Sequence, residues 1–184
     1  MDSVEWAGFV LSLAMVYCNI KEIHWGWPLA IASSMLYGVI FWNSQLYGQA
    51  GLQAMFVLMA AWGWRQWLSK QDQDPLVISS LLRKERLYVF VAGLLAWLVC
   101  GFILTQFTDS EVAIWDALVT AMALIGQYLL GRKKIENWWV WLTVNVLTMG
   151  LMVSQSLWPT TLLYGLFAIL SVVGLRAWRQ QHAE

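Results

Sequence analysis

The sequence predicts an all-α, polytopic membrane protein of seven transmembrane helices, arranged as two parallel three-helix repeats joined by one linker helix. Three observations predict it: an apolar composition, the placement of the cations, and an internal duplication. Of 184 residues, 60% are hydrophobic and 12% are charged. Mean hydropathy is +0.59. A soluble domain of this length covers its surface with far more charge. A bilayer core about 30 Å thick takes about 20 helical residues to cross, so the chain has room for about seven spans.

The first span falls near 5–20. The segment before it, Met1-Asp2-Ser3-Val4-Glu5, has neither a basic n-region nor a small-residue cleavage site, so this span is expected to stay as an anchor. The second, near 25–43, opens on Trp27-Pro28, where the missing proline N–H falls in a first turn. The third runs near 50–68. The longest loop, 69–85, follows and carries Pro75 amid Gln71-Asp72-Gln73-Asp74. The fourth span, near 86–106, is the linker. The last three lie near 112–130, 137–153 and 158–177, with Pro159 again in a first turn. The expected organisation is a first repeat at 1–68, loop and linker at 69–110, and a second repeat at 111–184.

With these spans, all eleven Lys and Arg residues fall on one side. Lys21 lies in loop 1–2. Arg65, Lys70, Arg83, Lys84 and Arg86 flank loop 3–4. Arg132, Lys133 and Lys134 lie in loop 5–6, and Arg176 and Arg179 at the C-terminal end. The positive-inside rule then puts the N-terminus outside and the C-terminus in the cytoplasm, with Asp109 and Glu111 in an outer loop. Trp6, Trp42, Trp67, Trp115, Trp158 and Trp178 lie near span ends, where an indole meets both lipid and water.

Sliding the chain by 114 residues aligns Glu22 with Glu136, Trp25 with Trp139, Trp27 with Trp141, and Trp64-Arg65-Gln66 with Trp178-Arg179-Gln180. Helices 1–3 thus read as repeated in helices 5–7. Both triplets start inward, so the repeats are parallel, which is a transporter plan with the substrate path expected between the halves.

The richest polar segment is Glu136-Asn137-Trp138-Trp139-Val140-Trp141-Leu142-Thr143-Val144-Asn145. Trp138, Trp141 and Asn145 share one helical face. Asn145 lies about 12 Å into the span at 1.5 Å per residue. Two indoles and a central amide suit a flat, polar-edged or cationic ring. The bland alternatives are an interface anchor for each Trp and an interhelical hydrogen bond for Asn145. Gln53 and Trp64 share nearly one face of helix 3, and Gln127 and Thr120 one face of helix 5; each is a ligand contact or helix–helix glue. Tyr37 is a weak signal and Asn43 a helix-end residue. Glu22 and Glu136 are expected to pair with loop cations, and His24 to be solvated.

No Asp, Glu, Lys, Arg or His lies deep in a span; Asp116, about one turn inside helix 5, comes nearest. Ion-driven pumps use such groups, so facilitated diffusion without proton coupling is expected. An enzyme needs a metal cluster or a nucleophile–base pair, and His24 and His182, the two histidines, lie in loops far apart in sequence. Cys18 and Cys100 read as small apolar residues, not as a disulfide. No basic stripe suggests nucleic acid. A signalling or assembly subunit without a ligand is the other rival.

The chain resembles the nicotinamide riboside transporter (PnuC) family. The matching pieces are Trp27-Pro28, Leu46-Tyr47-Gly48 with Leu52-Gln53, Gly63-Trp64-x-x-Trp67, and Lys134-Ile135-Glu136-Asn137-Trp138-x-x-Trp141-x-x-x-Asn145. The resemblance implies a three-plus-one-plus-three fold, similar to a full-length relative of the sugar-transporting SWEET proteins. It implies facilitated diffusion of nicotinamide riboside across the bacterial inner membrane, trapping by a separate kinase, no cofactor and a homotrimer. It also implies that Trp138, Trp141 and Asn145 hold the nicotinamide ring and ribose, with Gln53 a further partner. Phe56 stands where many relatives are expected to carry Tyr. Thiamine or riboflavin is the alternative substrate.

Overall fold

The structure is a computed structural model that describes residues 3–43, 47–69, 76–107, 113–154 and 158–183. Lys70, Pro75, Asp109 and Glu111 lie outside the described residues. The described residues form seven helices: α1 Ser3–Ile20, α2 Gly26–Asn43, α3 Tyr47–Ser69, α4 Arg83–Phe107, α5 Ala113–Gly131, α6 Asn137–Ser154 and α7 Trp158–Ala183. α7 outruns its expected end at 177 and takes in His182, expected in a loop, because Arg179, Gln180, Gln181 and Ala183 are good helix formers past the apolar stretch. Arg83–Phe107, Ala113–Gly131 and Thr161–Ala183 are long and apolar enough to cross a membrane; Phe9–Ile20 is a shorter apolar stretch.

The chain divides into two compact units, Met1–Val77 and Ile78–Glu184. In the first, α2 packs on α1 and α3. In the second, α5 packs on α4 and α6, and α6 on α7. The linker α4 therefore groups with the second unit. The Trp97 indole N–H donates to the Ile114 carbonyl at 3.1 Å, tying α4 to α5. α4 buries no residue, and Leu94, Leu95, Leu98 and Phe102 lie exposed. Such a surface suits lipid tails, which are as apolar as leucine.

The two units repeat one local design. α1 ends where Glu22 takes φ 55°, and α5 where Lys133 takes φ 50°. Each left-handed residue closes the helix in the same way. The N–H of Ile23 reaches Cys18 O at 2.8 Å and that of Glu22 reaches Asn19 O at 3.3 Å; Lys134 reaches Leu129 O at 2.9 Å and Lys133 reaches Leu130 O at 3.0 Å. These are the paired bonds that satisfy a helix's last carbonyls. Past the turn, Trp27 meets Trp67 edge-on at 5.4 Å and 85°, and Trp138 meets Trp178 at 5.5 Å and 88°. The Trp27 indole fills the space over Gly63, and the Trp138 indole that over Gly174. Every one of these pairs is 111 residues apart.

The repeat is thus real, but its register is 111 and not the 114 that the gapless alignment gave. A slip of three residues is close to one helical turn, so it returns nearly the same face of each helix. In chains built from few residue types, such a slip still collects identities.

Two other expectations are corrected. Trp67 and Trp178, expected at the interface, are 6% and 0% exposed, because each serves its repeat as the wall for another indole. Trp42, Trp115 and Trp158 are exposed at span ends. His24 is not simply solvated: its Nδ1 is shielded, and its ring lies 5.4 Å from that of Trp25.

In the second unit, residues 78–82 strap onto the α5–α6 turn. Ser79 donates to Lys133 O at 3.1 Å and accepts from Ile135 N–H at 3.0 Å. Leu81 N–H donates to the Glu136 carboxylate at 2.9 Å, and Arg86 lies 3.8 Å from the same oxygen. Lys134 pairs with Glu85 at 3.0 Å. Glu136 therefore finds its cation on α4, across the strap. His182 Nδ1 lies 3.1 Å from the Ile78 carbonyl. The strap fixes the start of α6 and so the depth of the residues that follow.

Candidate functional site

α6 begins immediately after this turn, with Asn137 fully buried and its side-chain amide donating to Lys134 O at 2.7 Å. That places Trp138, Trp141 and Asn145 at successive levels of one face, as their spacing predicts. The three meet different neighbours. Trp138 is 3% exposed and faces α7, against Gly174 and Trp178. Its indole N–H is shielded and takes no hydrogen bond among the described residues. Trp141 is half-buried and faces α5, where a Cβ on Gly126 would come within 3.1 Å of its ring. Asn145 returns to α7: its Nδ2 donates to Ser171 Oγ at 3.3 Å.

The face thus carries one indole as packing, one half-open indole, and one buried amide. Trp139, the neighbouring indole, points away; it is exposed and sits 5.7 Å from the Arg179 guanidinium. An arrangement of this kind can stack a flat ring on Trp141 and tether its edge from Asn145, one turn deeper.

Two residues near Asn145, Thr148 on α6 and Ser171 on α7, escaped the sequence reading. Ser171 is 3% exposed and donates to Phe167 O at 2.8 Å. Thr148 is buried and donates to Val144 O at 2.9 Å. Thr148 was legible, because it continues the same face three residues past Asn145. Ser171 was not, because nothing in the sequence states which part of α7 meets Asn145.

Of the other candidates, Gln127 is buried on α5, next in the chain to the Gly126 that meets Trp141. Thr120 is half-buried on the same helix. Gln53 and Trp64 belong to α3 of the first unit and are half-buried. The Gln53 side chain lies against α2, its Cβ 3.5 Å from where a Cβ on Gly38 would stand. The Trp64 indole N–H is shielded and without a hydrogen-bond partner among the described residues.

Comparison with known proteins finds relatives along almost the whole chain. The nicotinamide riboside transporter PnuC of Escherichia coli (strain K12) is 22% identical over 205 residues, covering 95% of this chain and 85% of that protein. The riboflavin/roseoflavin transporter RibM of Streptomyces davaonensis is also 22% identical, over 179 residues, covering 95% and 83%. Among solved structures, the crystal structure of the vitamin B3 transporter PnuC matches with a TM-score of 0.76 at 20% identity, over 95% of this chain and 79% of that one. At that identity the match establishes the fold. The family model for the nicotinamide mononucleotide transporter matches residues 2–180. The chain therefore belongs to the nicotinamide mononucleotide transporter family, multi-pass membrane proteins that carry vitamins and are not enzymes.

Proposed function

We propose that the protein carries nicotinamide riboside across the bacterial inner membrane by facilitated diffusion, and that a separate cytoplasmic kinase traps it. The observation that carries this reading is the pairing of a half-open indole with a buried amide on one face of α6, in a vitamin transporter. Nicotinamide riboside holds a pyridinium cation. A cation over an indole gains about 0.5–2 kcal/mol, more where water is excluded. Trp141 is the stacking surface and Asn145 the tether. Trp138 backs the site from the α7 side, and Gln127 is a further contact.

Thiamine also carries a flat cationic ring and is the close rival. Riboflavin stays in contention because the riboflavin/roseoflavin transporter RibM is as similar to this chain as the E. coli relative is. Riboflavin's ring is neutral, so an indole offers it stacking without the cation term.

The sorted cations support an N-terminus in the periplasm and a C-terminus in the cytoplasm. A homotrimer is the assembly proposed. Because ionisable groups are missing from the deep spans of the sequence, transport needs no proton gradient. Uptake of labelled nicotinamide riboside into proteoliposomes tests this. Equal initial rates with and without an uncoupler are expected, and a rate that collapses with the gradient contradicts it.

A further inference from the structure

Ser171 has one hydroxyl hydrogen. The Phe167 carbonyl lies 2.8 Å from its oxygen, and a carbonyl can only accept, so the hydrogen is committed there. Toward Asn145 the serine oxygen is then left with lone pairs alone. Asn145 must turn its NH2 to the serine, as the 3.3 Å contact from Nδ2 records. The other branch of the amide, the Oδ1 carbonyl, takes no hydrogen bond among the described residues. That acceptor is left open to a ligand donor.

The repeat separates this pair from ordinary helix packing. In the register of 111, Asn145 corresponds to Ser34 and Ser171 to Ala60. Ala60 is 1% exposed, so the first unit buries that position of α3 without a serine hydroxyl. What the two units share is the paired-indole anchor; the Asn–Ser pair belongs to the second unit alone. A residue pair needed only to join two helices would be expected in both.

We infer that Ser171 is a positioning residue that locks the Asn145 amide with its carbonyl toward the ligand, so that the site selects a ring bearing a carboxamide N–H and rejects the matching carboxylate. This rests on the proposed function, since a ring stacked on Trp141 brings its edge substituent to the level of Asn145. The carboxamide donates to Oδ1. A carboxylate has no hydrogen to give and adds charge repulsion against the carbonyl dipole.

The test is calorimetric titration of detergent-purified full-length protein with nicotinamide riboside and with the same riboside carrying a carboxylate in place of the carboxamide. The wild type should prefer the carboxamide by at least about tenfold. Ser171→Ala frees the amide to rotate and should shrink that preference to about threefold or less. Ser171→Thr keeps the back-bonded hydroxyl and should restore it. A wild type that binds both ligands equally overturns the inference without needing any variant. So does a Ser171→Ala protein that melts like the wild type and keeps the full preference. A wild type that binds neither ligand overturns the proposed function, and the inference with it.

Discussion

Three indoles stand within four residues of one another on α6, and each does something different. Trp138 is enclosed by Gly174 and Trp178. Trp139 lies outside, beside Arg179. Trp141 sits half-buried against Gly126. Side-chain removal should separate the first from the last. Trp138→Ala leaves a cavity the size of an indole and should cost about 3–5 kcal/mol, read as a large fall in thermal midpoint. Trp141→Ala should leave the midpoint near that of the wild type and weaken nicotinamide riboside binding at least about tenfold. A thermal scan paired with a titration checks both; equal effects of the two changes on binding and stability would contradict the division. The shared face of Trp138, Trp141 and Asn145 was legible from spacing alone. The division of labour was not, because it depends on whether α5 or α7 comes close at each level, and that is set by glycines far away in sequence.

At the level of the elements, the chain uses one anchor twice. A tryptophan just past a left-handed helix end is laid over a glycine on the partner helix and closed by a second tryptophan. The glycines are needed because no Cβ fits beneath the ring. A methyl on Gly174 would stand 2.6 Å from Trp138 ring atoms, and one on Gly63 would stand 2.3 Å from Trp27. Gly174→Ala should therefore force the buried indole to move and cost about 1–3 kcal/mol. Gly51→Ala, where a Cβ meets nothing within 4 Å, is the control and should be neutral or slightly stabilising. Chemical-denaturation midpoints compare the two, and equal midpoints would remove the anchor. The sequence revealed the seven helices to within a few residues of their ends, except the C-terminal end of α7, because apolar runs and cation clusters mark the boundaries sharply. It revealed that the triplet is repeated but not the register. Trp-rich helices aligned three residues out still match, and only the paired turns and ring contacts resolve the ambiguity.

At the scale of the whole molecule, an apolar chain with its cations sorted to alternate loops becomes a seven-helix vitamin transporter whose linker helix buries nothing. Fold and family were legible because membrane insertion imposes strong rules on length, charge and hydropathy. The substrate was less so, since three vitamins share a flat ring and polar edges. The most direct measurement is calorimetric titration of the purified protein with nicotinamide riboside, thiamine and riboflavin in parallel, repeated on Asn145→Ala. Saturable binding of nicotinamide riboside, tighter than of the other two and at least about tenfold weaker in the variant, is the predicted result. Tighter binding of thiamine or riboflavin, or undiminished binding of nicotinamide riboside by Asn145→Ala, would contradict it.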